Sequence, residues 1–176
     1  MVPKIMDAYP NKAQYVTSEP VRIEVELNNP LQHEVRVLLT TELMNMNRVL
    51  EKQSQEVVLD GNATLIHMVE FGPLHEAFQG YGVDLLLTTQ AGAEPEHFSS
   101  AFDVVSNWRQ SPRYGFLSDF HSREEGDVKD VASLNKLHIN LVQFYDWMYR
   151  HDDLVPPEEV FTDLMGRELS LKVVKE

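Results

Sequence analysis

The chain has 176 residues, no cysteine, and 28 acidic against 15 basic residues, for a formal charge of -13. That charge, with no local basic patch to offset it, argues against nucleic acid and anionic membrane surfaces as partners and leaves neutral ligands such as sugars open. The lack of cysteine excludes disulfides, thiolate catalysis and cysteine-held metals.

No segment approaches the roughly 18 apolar residues of a membrane span. The opening "MVPKIMDAYPNKAQY" lacks both the apolar centre and the small-residue cleavage site of a signal peptide. The first hundred residues read as strands. In "VRIEVEL", Val21, Ile23, Val25 and Leu27 alternate with Arg22, Glu24 and Glu26, the period of two of a strand with one buried face. "NNP" stops it. "HEVRVLLTTEL" repeats the alternation through Val35, Val37 and Leu39, and the polar "EKQSQ" separates it from "EVVLDGN". Asp60-Gly61 before "ATLIHMVEF" is a hairpin signal. "GYGVDLLLTTQAG" and "HFSSAFDVVSNW" add two more extended runs. Six or seven short strands at turn spacings of roughly 8–12 residues predict an immunoglobulin-like β-sandwich over 1–107.

From residue 108 the pattern changes. "YGFLSDF" is a short apolar strand closed by Ser118 and Asp119, and "HSREEGD" is loop. From Asp127, placed as an N-cap, Val128, Val131, Leu134 and Leu137 or His138 recur at helical spacing. "INLVQFYDW" then reads as a near-continuous apolar strand, of the kind parallel sheets bury on both faces. Strand, helix, strand makes a βαβ unit over 108–176, and "LSLKVVKE" starts a further helix with Ser170 as its cap. A lone βαβ unit leaves faces uncovered, so a longer protein is expected.

Asp119 and Asp146 each follow a parallel strand, the rim where (β/α) barrels build their sites. Each is equally well a helix cap or a solvated loop residue. Because alternate residues of a strand face the same way, Tyr145, Trp147 and Tyr149 can share a side, where rings stack on sugars and hydroxyls or an indole bond their edges. Core packing is the ordinary use of such rings. His151, with Arg150, Asp152 and Asp153, would add polar contacts or simply solvate the loop. The seven histidines have neither HxH nor HExxH spacing, so no metal is expected, and neither a nucleophile elbow nor a phosphate loop is present.

The stretch "RYGFLSDF…LNKLHINLVQFYDWMYRHDDLVPPEEVFTDLMGRELSL" closely resembles glycoside hydrolase family 66, the bacterial dextranases and cycloisomaltooligosaccharide glucanotransferases. The part with "YPNKAQYVTSEPVRIEVEL" resembles the immunoglobulin-like domain that precedes the family's catalytic barrel. The resemblance implies an extracellular, monomeric enzyme acting on α-1,6-linked glucan by a retaining, two-carboxylate mechanism without cofactor, and residues 108–176 as the start of a (β/α)8 barrel. Dextran hydrolysis and cyclising transfer are both compatible. The family's catalytic Asp and Glu belong to later barrel strands, so no catalytic residue is assigned here; Asp119, Tyr145, Asp146, Trp147, Tyr149 and His151 are expected to contact substrate. The alternative is a non-catalytic carbohydrate-binding or interaction module with an immunoglobulin-like fold.

Overall fold

The computed structural model describes residues 2–89 and 94–176. Contacts divide the chain into two compact units, 1–111 and 112–176. Among the described residues, eight strands build the first: β1 (Lys4–Pro10), β2 (Tyr15–Val16), β3 (Val21–Asn29), β4 (Val35–Asn45), β5 (Arg48–Leu59), β6 (Ala63–Phe71), β7 (Gln79–Thr88) and β8 (Glu96–Val105). They form a three-stranded sheet, β1-β3-β6, and a five-stranded sheet, β2-β8-β7-β4-β5. The last residues of the run "GYGVDLLLTTQAG", 90–92, lie outside the described residues.

The alternation read from "VRIEVEL" is the sandwich's inner row: Val21, Ile23, Val25 and Leu27 are fully buried. They belong to the same cluster as Leu39, Val83, Leu85 and Phe102 from the other sheet. Outward residues pair across strands, as where Arg22 opposes Glu70 and its Nε donates to the carboxylate at 2.8 Å. Such exposed pairs contribute only a few tenths of a kcal/mol up to about 1; the buried rows carry the stability.

Two strands escape the periodicity. The chain pairs antiparallel with β3 as β1, then changes sheets and pairs parallel with β8 as β2. The side chain of Tyr15 holds the change of sheet, with its ring edge-on to Phe102 at 5.5 Å and its hydroxyl donating to the Arg22 carbonyl at 2.6 Å. Burial pushes this hydroxyl's pKa up.

"EKQSQ" is not a break but the middle of the 12-residue edge strand β5. Its inward row is apolar at Val57 and Leu59 and polar beyond them. Gln55 lies 2.9 Å from His67 Nε2, and Gln53 donates to the Glu70 carbonyl at 2.8 Å. The sandwich's open side is thus closed by amides instead of methyl groups, which is why apolar periodicity does not reveal it.

Asp60-Gly61 is not a hairpin turn. β5 pairs with β4, and β6 with β3, so the turn carries the chain from one sheet to the other. The buried amide of Asn29 holds this crossing. Its Nδ2 lies 2.9 Å from the His33 carbonyl, 3.1 Å from that of Leu59 and 2.9 Å from that of Asp60, while Oδ1 accepts the Leu31 N–H at 3.0 Å. Backbones approach so closely here that a Cβ on Gly61 would lie 2.5 Å from the Gln32 carbonyl oxygen.

The second unit contains β9 (Tyr114–Leu117), α1 (Lys129–Lys136), β10 (Leu141–Phe144), β11 (Val160–Thr162), β12 (Glu168–Ser170) and α2 (Leu171–Lys175). β9 and β10 are parallel, and β11 and β12 form an antiparallel hairpin. The βαβ order agrees with the sequence, and Ser170 Oγ accepts the Lys172 N–H at 3.2 Å as the cap of α2. Val128, not Asp127, occupies the N-cap position of α1, although Asp127 still accepts the Lys129 N–H at 3.1 Å.

The extended run is shorter and more exposed than expected. β10 has four residues, and its pair with β9 leaves Phe116 at 55% and Leu141 at 38% exposure instead of burying both faces. Val128 and Val131 of the helical stripe are also exposed. The compact part lies beside them, where Phe120, Phe161 and Leu169 are buried with Trp147 and Tyr149 packed against them.

Asn29→Ala is expected to strand a buried carbonyl at the crossing and to cost about 3 kcal/mol in urea unfolding. Gly61→Ala forces backbones apart and is expected to cost about 1–3 kcal/mol in the same unfolding experiment, with a correspondingly lower urea midpoint. Unchanged midpoints would remove Asn29 and Gly61 from this role.

Candidate functional site

Each parallel strand is followed, two residues past its end, by an aspartate. Beyond β9, Asp119 is exposed and its carboxylate accepts the His121 N–H at 3.4 Å, a weak turn-closing contact. Beyond β10, Tyr145 adds one more ladder bond, donating its N–H to the Leu117 carbonyl at 2.8 Å. Asp146 then takes a φ of 56°, in the left-handed region that aspartate enters more readily than most residues.

This one dihedral breaks the alternation that would have kept Tyr145, Trp147 and Tyr149 together. Tyr145 stays on the sheet face of Phe116, ring to ring at 5.7 Å, and Phe116 meets Tyr114 at 4.8 Å. Trp147 and Tyr149 join the cluster of Phe120, Phe161 and Leu169, with Tyr149 edge-on to Phe161 at 5.9 Å. The three rings therefore do not form one stacking surface. The exposed aromatic row is Tyr114, Phe116 and Tyr145. Period-two spacing within "YGF" and the parallel register opposite Gln143 are the signals that could have found it.

His151 is exposed at the tip of a loop closed by Arg150 N–H donating to the Asp153 carbonyl at 2.9 Å. Arg150 lies over the Tyr149 ring at 4.8 Å and donates to its hydroxyl at 3.1 Å. Tyr149 and Arg150 line an open cavity of about 550 Å³ with Glu158, Phe161, Asp163 and Glu168. A second cavity, of about 370 Å³, has an apolar lining that includes Leu134, Val142, Phe144 and Val173, and Asp119 is among its few acidic residues. Among the described residues, no group of three His, Cys, Asp or Glu side chains is arranged to hold a metal ion.

Sequence reasoning passed over Asp163 and Arg167, at the ends of the turn that joins β11 to β12. Asp163 is buried, its side chain 4% exposed. Its Oδ1 accepts the N–H groups of Met165 at 2.9 Å and Arg167 at 2.8 Å. Its Oδ2 accepts from Arg167 Nε at 2.8 Å and Nη2 at 2.5 Å. Arg167 Nη1 donates to Asp146 Oδ2 at 3.3 Å. Gly166, with φ 78°, lets this turn close. A carboxylate four residues before an arginine is too common a pattern to single out without the hairpin.

Burial raises the Asp163 pKa, but the Arg167 guanidinium and the two backbone N–H groups outweigh it and hold the carboxyl below its ordinary 3.8. Because the folded pKa is depressed, the stabilisation is present above about pH 3.8 and is lost as pH falls through the folded value. Acid unfolding of the second unit, followed by Trp147 fluorescence in a Trp108→Phe background, is expected to lose part of its dependence in that window in Asp163→Asn. An unchanged acid limb would show that the pair contributes nothing there.

The model of the family described as Glycosyl hydrolase family 66 matches residues 10–176. Two cycloisomaltooligosaccharide glucanotransferases from Niallia circulans are 30% identical over 172 residues and 28% identical over 171, each alignment covering 92% of this chain. The chain spans 17% of the length of these curated relatives. A crystal structure of a cycloisomaltooligosaccharide glucanotransferase from Paenibacillus sp., complexed with cycloisomaltoheptaose, aligns with a TM-score of 0.83 at 25% identity, over 98% of this chain and 25% of that one. A family match running from residue 10 to residue 176, through both compact units, means that the chain belongs to glycosyl hydrolase family 66.

Proposed function

We propose that the chain is part of an enzyme that processes α-1,6-linked glucan, by dextran hydrolysis or cyclising transfer. The family match across residues 10–176 carries this reading. The first unit is then an immunoglobulin-like sandwich, and β9, α1 and β10 open a (β/α)8 barrel, with domains over 1–107 and 108–176. The parallel β9-β10 pair, with a helix between its strands, supports that assignment.

In a retaining mechanism one carboxylate attacks the anomeric carbon while a second, about 5–5.5 Å away, protonates the leaving oxygen and then activates water or an acceptor hydroxyl. The 176 residues correspond to 17% of the relatives' length, and we assign the catalytic pair to sequence outside them. Asp119 and Asp146 contact substrate hydroxyls instead, Tyr145 offers a ring face to a sugar, and Trp147, Tyr149 and His151 shape the wall behind it. The whole protein works outside the cell as a monomer, needs no cofactor, and has no nucleic-acid or membrane partner.

The reading is tested by incubating the purified 176-residue chain with dextran. No release of reducing sugar is expected. Clear hydrolysis would mean that these residues contain a working carboxylate pair, and would overturn the assignment of catalysis elsewhere.

A further inference from the structure

Asp146 is oriented from two sides. Its backbone sits at φ 56°, which fixes where the side chain leaves the strand end. Its Oδ2 accepts from Arg167 Nη1 at 3.3 Å. Both side chains are 41% exposed, so an isolated ion pair between them would be loosely held. Arg167 is not free to wander, however. Nε and Nη2 are both bonded to Oδ2 of the buried Asp163, which has its other oxygen on two backbone N–H groups. A guanidinium is planar, so two bonded nitrogens define the direction of the third.

The arrangement thus transmits rigidity from a buried turn to an exposed carboxylate. Asp146 Oδ1 accepts no hydrogen bond among the described residues. A half-exposed carboxylate with one oxygen held and the other open is suited to accept an O–H from a neutral polyol. The neighbouring ring of Tyr145, 49% exposed, supplies an apolar surface for the carbon face of the same molecule.

We propose that Arg167, fixed by Asp163, is a positioning residue that sets the Asp146 carboxylate to accept a hydroxyl of the glucan substrate. This rests on the reading of Asp146 as a substrate contact. Arg167 touches no substrate; it acts by limiting the orientations of Asp146 before binding, so the ordering is complete when the sugar arrives. Lysine at this position would keep the charge but, as a single flexible ammonium, could not be fixed on one carboxylate while pointing at another.

The test is a double-mutant cycle on the 176-residue chain, with isomaltotriose affinity measured by NMR titration and the urea midpoint measured alongside. Wild type is expected to bind. Asp146→Asn should weaken affinity about tenfold, the size of a lost charge-assisted hydrogen bond, and Arg167→Ala nearly as much. The double variant should be no weaker than Asp146→Asn, because both changes remove one interaction. Arg167→Lys, which keeps the charge, should recover less than half of the loss while holding its urea midpoint. If Arg167→Ala unfolds the second unit, Arg167→Lys carries the cycle. Full affinity in the folded Arg167 variants, or additive losses, would overturn the positioning role and leave the substrate contact standing. Failure of wild type to bind, or full affinity in Asp146→Asn, would overturn the substrate contact and the positioning role with it.

Discussion

The first unit depends on one buried amide. Asn29 sits where β3 ends and where the chain crosses between sheets, and its side chain satisfies carbonyls on both sides of that crossing. Carbonyls withdrawn from water and left unpaired would each carry a desolvation penalty comparable to a large share of a domain's net stability. With the amide in place, β5 can leave the five-stranded sheet and β6 can enter the three-stranded one without breaking either inner row. The close approach at Gly61 follows from the same point. The register of both sheets is thus tied to a polar contact inside an otherwise apolar sandwich.

The second unit solves a different problem with similar means. Its parallel strands are too short and too exposed to position side chains by packing alone. A buried carboxylate, a planar guanidinium and a left-handed aspartate give direction at the end of β10 instead. Trp147 and Tyr149 belong to the packing that supports this corner, whereas the exposed ring of Tyr145 packs on Phe116. Adjacent residues in "YDWMY" therefore serve support and presentation separately.

How much of this was legible follows from what each residue reports about itself. Val21 to Leu27 declare a strand because one face is fully buried, and the same logic made Val83 to Leu87 readable; the "YGFL" strand was readable only as a short apolar run, since neither of its faces is buried. β1 and β2 were not legible as strands, because a change of sheet leaves no periodic trace. The middle of β5 was missed because glutamines there replace apolar side chains. Asp60-Gly61 was recognisable as a turn, but whether a turn joins neighbours or crosses a sandwich depends on the distant Asn29. Asp119 and Asp146 were singled out as candidates by their position after strands. The division of the three rings was not, since it hangs on a single φ value that aspartate permits but does not announce. Arg167 becomes visible only once the hairpin has placed it beside Asp146.

The long polar strand β5 has a consequence for how copies of this protein meet. It is the outer member of its sheet, and a free strand edge is a template on which another chain can extend the sheet. Here charged residues such as Glu51, Lys52 and Glu56 line it, and the Gln53 and Gln55 side chains are occupied with β6. A second copy aligning along this edge would have to strip water from these charged side chains. The glutamines that close the sandwich thus lie within a strand whose charges discourage edge-to-edge aggregation, so closure of the core and solubility are served by the same twelve residues.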